Sequence, residues 1–111
     1  MSNDVFKIVV RKDFSDSTGG RVPMEGPNSG EEFRDNLLIP ALNSHSGKIF
    51  IDLDGTDGYG SSFLEESFGG LVRKGFNAND LLNRFVFKSE EDDSYIDEVI
   101  RYIKEAQDIL N

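Results

Sequence analysis

Short apolar runs of strand character alternate along this chain with longer stretches whose apolar residues recur at helical spacing. Residues 5–10 (VFKIVV) are β-branched, bounded by charge and predict a strand. The stretch 12–30 is dense in Gly, Pro, Ser and Asp and predicts loop. Within it, residues 21–24 suit a short edge strand returning along the first, because Pro23 is tolerated at an edge and not at a sheet centre. A helix then starts at Ser29, with Glu32 three residues on as a capping box, and Phe33, Leu37, Leu38 and Leu42 on its inner face. Pro40 should kink or shift its last turn, lacking the N–H that would bond back to Asn36.

Residues 48–53 (KIFIDL) form the second strand, and the unbroken apolar run suits a sheet centre. A second helix is expected over residues 62–74. Ser62 and Glu65 form another capping box there, Leu64, Phe68, Leu71 and Val72 supply the stripe, and Arg73, Lys74 and Gly75 close it. Residues 84–88 (RFVFK) are the third strand. The last helix covers 93–110, with Ile96, Val99, Ile100, Ile103 and Ala106 on one face. The order predicts one α/β domain over residues 1–111: a small mixed sheet of about four strands with three main helices. Residues 48–88 should form a right-handed parallel crossover. Most of the nine phenylalanines read as core.

Composition narrows the function classes. Without cysteine there can be no thiol nucleophile, disulfide or cysteine-bound metal. The apolar stretch near the start is too short for a signal segment, and no later run approaches about 18 apolar residues. A soluble, cytoplasmic protein is the expectation. Twelve Lys+Arg against twenty-one Asp+Glu give a net charge of −9, so nucleic acid and anionic membrane are poor partners. The single histidine, His45, sits in a polar loop and reads as surface. Neither a P-loop nor a dinucleotide fingerprint fits the glycines, and no cofactor is implied.

Two readings compete for the segment "IFIDLDGTDGYGSSFLEESFGG" (49–70). Its first half resembles the leading motif of haloacid-dehalogenase-like phosphatases. That likeness implies Asp52 as nucleophile and Asp54 as acid/base, with Ser89 and the acids Glu90–Asp93 completing a magnesium site. Residues two apart at a strand end do point the same way. Only 55 residues follow Thr56, however, fewer than the roughly 150 such a doubly wound sheet needs. The plain structural alternative is that Asp54 accepts turn N–H groups.

The second half, a strand, a Gly-containing turn and two serines opening an apolar helix, resembles the STAS domain of bacterial anti-sigma-factor antagonists. Their pattern is Asp-Ser-Ser-Gly-Leu before a helix. Placing Leu64 on that leucine puts Ser61 on the phosphorylatable serine and Ser62 on the second; Gly60 replaces the aspartate and Phe63 the glycine. The wider chain is most similar to the STAS-like family of unknown function, through residues 19–34, 37–42 and 51–75. The resemblance implies a non-enzymatic switch module that docks a histidine-kinase-type ATPase, with Ser61 as phospho-acceptor. The working surface would be Asp54, Thr56, Asp57, Gly58, Tyr59, Gly60, Ser61, Ser62 and Glu65, with Arg21 and Arg34 adjacent. Tyr59 suits either a partner anchor or a packed loop aromatic, and Arg21, Glu25 and Arg34 either ion pairs or solvated charges. A phosphate on Ser61 would gain from the helix dipole. It would also face Asp57, Glu65 and Glu66, which are close in sequence and should repel it.

Overall fold

The computed structural model describes residues 5–111. Strands β1 (Phe6–Val9), β2 (Ile49–Asp52) and β3 (Phe85–Lys88) pair in the order β1-β2-β3, both pairs parallel. Ile51 stands opposite Ile8 on one side and Phe87 on the other. The apolar run of β2 takes the central position its composition predicts.

Among the described residues β1 runs directly into a π-helical turn, Val10–Phe14, so the expected strand 5–10 ends at Val9, and four longer helices connect and follow the strands. Helix α1 (residues 30–44) is continuous through Gly30–Phe33, Arg34–Leu38 and Ile39–Ser44, and its middle turn is widened to π geometry. There the Ile39 N–H bonds back to Arg34. The wide turn lies immediately before Pro40, which has no N–H of its own, so the helix continues past the proline instead of ending. Helix α2 (residues 61–73) also has a π turn at its centre, Glu65–Gly69. Helix α3 is Ala78–Arg84 and α4 is Ser94–Leu110. Among the described residues no helix is long and apolar enough to cross a membrane.

Two further expectations are corrected. Among the described residues the sheet is three-stranded and parallel, not mixed with four strands, because residues 21–24 do not pair. Pro23–Glu25 forms a 3₁₀ turn, the Glu25 carboxylate accepts the Arg21 N–H at 2.7 Å, and the Glu25 N–H bonds to Val22. These local bonds use the donors a ladder would need. The free edge of β1 is blunted as well, since Asp13 accepts the Val9 N–H at 2.7 Å. The second correction is α3. Its seven residues bury only Ala78 and Leu81, too little periodicity to read, and Asn77 caps it by accepting the Asp80 N–H.

All four helices share one core with a single face of the sheet. Ile8, Ile49, Ile51 and Phe85 point into it, and Phe68 of α2 meets Phe85 and Phe87 edge-on at 5.7 and 5.6 Å. Alternation sends Lys7, Phe50 and Val86 to the opposite face. None of those three belongs to the core.

Candidate functional site

Parallel α/β sheets gather function at the carboxyl ends of their strands, and Asp52 and Asp54 lie there, both buried. One Asp52 oxygen accepts the Asp54 N–H at 3.0 Å; the other faces Arg11 at 3.3 Å and Lys88 at 3.7 Å. Asp54 accepts the N–H groups of Glu91 and Glu90 at 2.9 and 3.0 Å and pairs with Lys88 at 3.3 Å. The donors from Glu91 and Glu90, helped by Lys88 and opposed by burial, hold its carboxyl below the usual aspartate value. Both oxygens of each aspartate are therefore engaged inside the protein. Ser89 donates to the Asp92 carbonyl, and Glu91 accepts the Gly55 N–H. Among the described residues no three acidic or imidazole groups converge as a metal would need. The pair Asp52–Asp54 clamps the β2–α2 loop to the β3–α4 loop: the turn N–H falls to Asp52, and Asp54, expected to take it, accepts the amides of the distant loop instead.

Gly55 shows how tight that clamp is. Its φ is 87°, and an added Cβ would collide with the Arg11 side chain lying across it. Beyond it, loop 54–60 is sewn to loop 15–21. Asp57 donates its N–H to the Asp16 carbonyl at 2.8 Å, Ser17 donates to the Asp57 carboxylate at 3.0 Å, and Thr18 to the Gly58 carbonyl at 2.8 Å. Thr56 accepts the Gly58 N–H. Tyr59 is buried, packs on Phe63 and edge-on to Tyr95, and donates its hydroxyl to the Leu53 carbonyl at 2.7 Å. Burial pushes its phenol pKa up. Of its two readings, the packed loop aromatic is the one observed.

The start of α2 differs from the sequence reading. Gly60 is the N-cap, with φ −74° and ψ 153°, so Ser61 and Ser62 are already inside the first turn and no side chain caps it. Ser62 and Glu65 form no capping box. Glu65 turns instead to Arg73, with bonds of 2.8 and 3.0 Å, and to Arg21 at 2.6 Å. Both serines are exposed.

Glu66 completes a network that sequence spacing could not reveal. It pairs with Arg34 at 2.5 Å, Arg21 at 3.0 Å and Arg73 at 3.6 Å. Arg34 is buried and also holds Asp35, so it is an internal brace instead of a surface charge. Glu65 is held below the ordinary glutamate value by Arg73 and, against burial, by Arg21. Glu66 is held down too: burial opposes this, and Arg34 and Arg21 overcome it. The two glutamates expected to repel a phosphate are thus neutralised by three arginines. Sequence reasoning misses Arg11 and Lys88, and the Arg21 and Arg34 partners of Glu66, because those partners lie in other elements. Arg73 lies in α2 with both glutamates, but seven and eight residues away, outside the i,i+3 and i,i+4 spacings that signal a helical pair.

A family model described as the STAS-like domain of unknown function matches residues 29–95, from the Ser29 cap to Tyr95 in the first turn of α4. The chain belongs to that family. Comparison with curated proteins and with solved structures gave no match. The STAS-like match contains loop 54–60, both exposed serines and the glutamate side of the arginine network; Arg21 lies outside it.

Proposed function

We propose that this STAS-like domain is a non-enzymatic interaction and switch module that works through loop 54–60 and the first turn of α2. One contrast carries the reading: Ser61 and Ser62 are exposed at the start of a braced helix, whereas Asp52 and Asp54 are tied to internal donors. A nucleophilic carboxylate needs an oxygen free to attack. Following the likeness to anti-sigma-factor antagonists, the partner is a histidine-kinase-type ATPase in the cytoplasm, and Ser61 is its phospho-acceptor. A phosphate there adds about −1.5 to −2 charge. It meets a helix start with no side-chain cap, near glutamates already paired with Arg21, Arg34 and Arg73. The electrostatic barrier is therefore lower than the sequence suggests. Gly60, in place of the antagonists' aspartate, leaves that cap open.

The test begins with recovery of the partner by pull-down from the host, followed by titration calorimetry of wild type, Ser61→Ala and Ser61→Asp. Alanine should cost at most about 0.5–1.5 kcal/mol, the worth of one hydrogen bond. Aspartate should cost more, because its charge must shed water inside the contact. Equal affinity of all three forms would move the interface off α2. Magnesium-dependent phosphomonoester hydrolysis that disappears in a folded Asp52→Asn variant would instead establish the phosphatase alternative.

A further inference from the structure

Between the free edge of β1 and helix α1 lies a cavity of about 540 Å³, a size that holds small molecules. One face of α1 forms a wall, with Leu37, Pro40, Ala41 and Ser44 at helical spacing, and Phe6 to Ile8 of β1 form the other. The two ends differ. At one, where β1 begins and α1 has just ended, Phe6 stacks on His45 with ring centroids 4.2 Å apart and remains 37% exposed. At the other, Asp13 reaches back to the Val9 N–H beside Asn36. Asn36 and Ser44 are eight residues apart on α1, which sets the length at about 12 Å.

The polar groups of this cavity are free to serve an occupant. Among the described residues, the side chains of Asn36 and Ser44 have no hydrogen-bond partner, and His45 is held through its carbonyl, by Arg84, with its ring unbonded. One Asp13 oxygen accepts the Val9 N–H at 2.7 Å; the other is unpartnered, and Asp13 forms no ion pair among the described residues. Nearby cations are committed elsewhere. The Lys7 Nζ lies 5.4 Å from the Phe50 ring centroid on the opposite face of the sheet, Arg11 pairs with Asp52, and Lys12 does not line the cavity. Parallel pairing turns the Phe6 N–H to the Lys48 carbonyl at 3.1 Å, which leaves the Lys7 N–H and carbonyl facing the free edge. A peptide strand cannot extend that edge, because Asp13 occupies the next outward donor, the Val9 N–H. The occupant that fits is a small molecule, and the lone carboxylate selects a cation.

We propose that this cavity binds a small organic cation, a primary amine on an apolar body that carries a ring. The ammonium lies between the free Asp13 oxygen and the Asn36 carbonyl oxygen, and the ring packs among Leu37, Pro40 and the Phe6–His45 pair. An ammonium brings three donors, and its bond to a carboxylate is charge-assisted. No residue of loop 54–60 or α2 lines the cavity, so the site stands whether or not that surface docks an ATPase.

The probes are phenylbutylamine and phenylbutyrate, alike in ring and chain and opposite in charge. Amide NMR of the full chain, titrated with each to about 10 mM, should show saturable shifts at Lys7, Ile8, Asn36, Leu37 and His45, with a Kd for the amine of about 1 mM or lower. The carboxylate should bind at least about ten-fold more weakly. Asp13→Asn keeps an oxygen for the Val9 N–H and should weaken the amine about ten-fold or more. If that variant fails to fold by circular dichroism, Asn36→Lys, at an exposed position on α1, takes its place with the same expected loss. Shifts that do not saturate, shifts centred on another region, equal affinity for the two probes, or a folded variant that binds the amine like wild type would each overturn the proposal.

Discussion

Helices α1 and α2 start side by side, and both open with serine followed three residues later by glutamate. Only the first pair is a capping box. Ser29 is fully buried, accepts the Glu32 N–H at 3.2 Å, and has its own N–H bound by the Glu32 carboxylate at 2.9 Å. At Ser62 the same spacing falls two residues inside the helix, because Gly60 holds the extended N-cap conformation. Glu65 is free to leave the helix axis and meets Arg21 and Arg73 instead. The difference teaches that a capping pattern works only where the backbone turns at the serine. One start is sealed into the core, and the other presents its serines to solvent.

The largest effect expected from breaking this contrast comes from Gly30→Ala. A Cβ there would lie 2.5 Å from the Phe63 carbonyl and 3.1 Å from the Ser67 hydroxyl, where α1 and α2 touch. Backbone cannot yield cheaply, so urea denaturation should show a loss of about 1–3 kcal/mol. Ser29→Ala should follow, costing about 0.5–2 kcal/mol by the same measurement.

Acid gives the next comparison. Because Glu65 and Glu66 have depressed native pKa values, the unfolded chain binds more protons as pH falls. Their contribution is complete above the ordinary glutamate value of 4.5 and is lost as pH drops through the native values. Removing one arginine by Arg21→Gln should lower stability at neutral pH and make the decline in acid shallower. Urea midpoints measured against pH would show an unchanged slope if Arg21 were merely a surface charge.

Smaller still should be Ser61→Ala and Ser62→Ala, each within about 0.5 kcal/mol, as at other exposed positions. A loss at Ser62 matching that at Ser29 would restore the capping box and move the helix start. The smallest effect belongs to Gly60→Asp, which supplies the missing cap. Against glycine this should stabilise by only a few tenths of a kcal/mol, seen as a slight rise in Tm.

Much of this architecture was legible in the residues. Three strands, three of the four helices, the Ser29 box and the STAS-like likeness all rest on local patterns of apolarity, turn residues and capping. The short α3 was missed for want of periodicity. The edge strand at residues 21–24 failed because Glu25 claims the local N–H of Arg21, a competition that propensity does not register. Two of the nine phenylalanines lie outside the core for different reasons: Phe50 alternates onto the uncovered face, whereas Phe6, on the Ile8 face, sits at the start of β1 where it stacks on His45.

At the candidate site the division is sharper. By itself the sequence determined that two serines stand at the mouth of a helix after a Gly-rich turn, and that a strand-end aspartate serves that turn, a part the structure gives to Asp52. Both follow from short-range backbone chemistry. Only the tertiary structure decided that Asp52 and Asp54 serve Arg11, Lys88 and the Glu90–Glu91 amides, and that Arg21, Arg34 and Arg73 cancel Glu65 and Glu66. Coulombic and hydrogen-bonding partners depend on distance in space. Most of these groups come from segments more than thirty residues apart, which only folding brings within 4 Å.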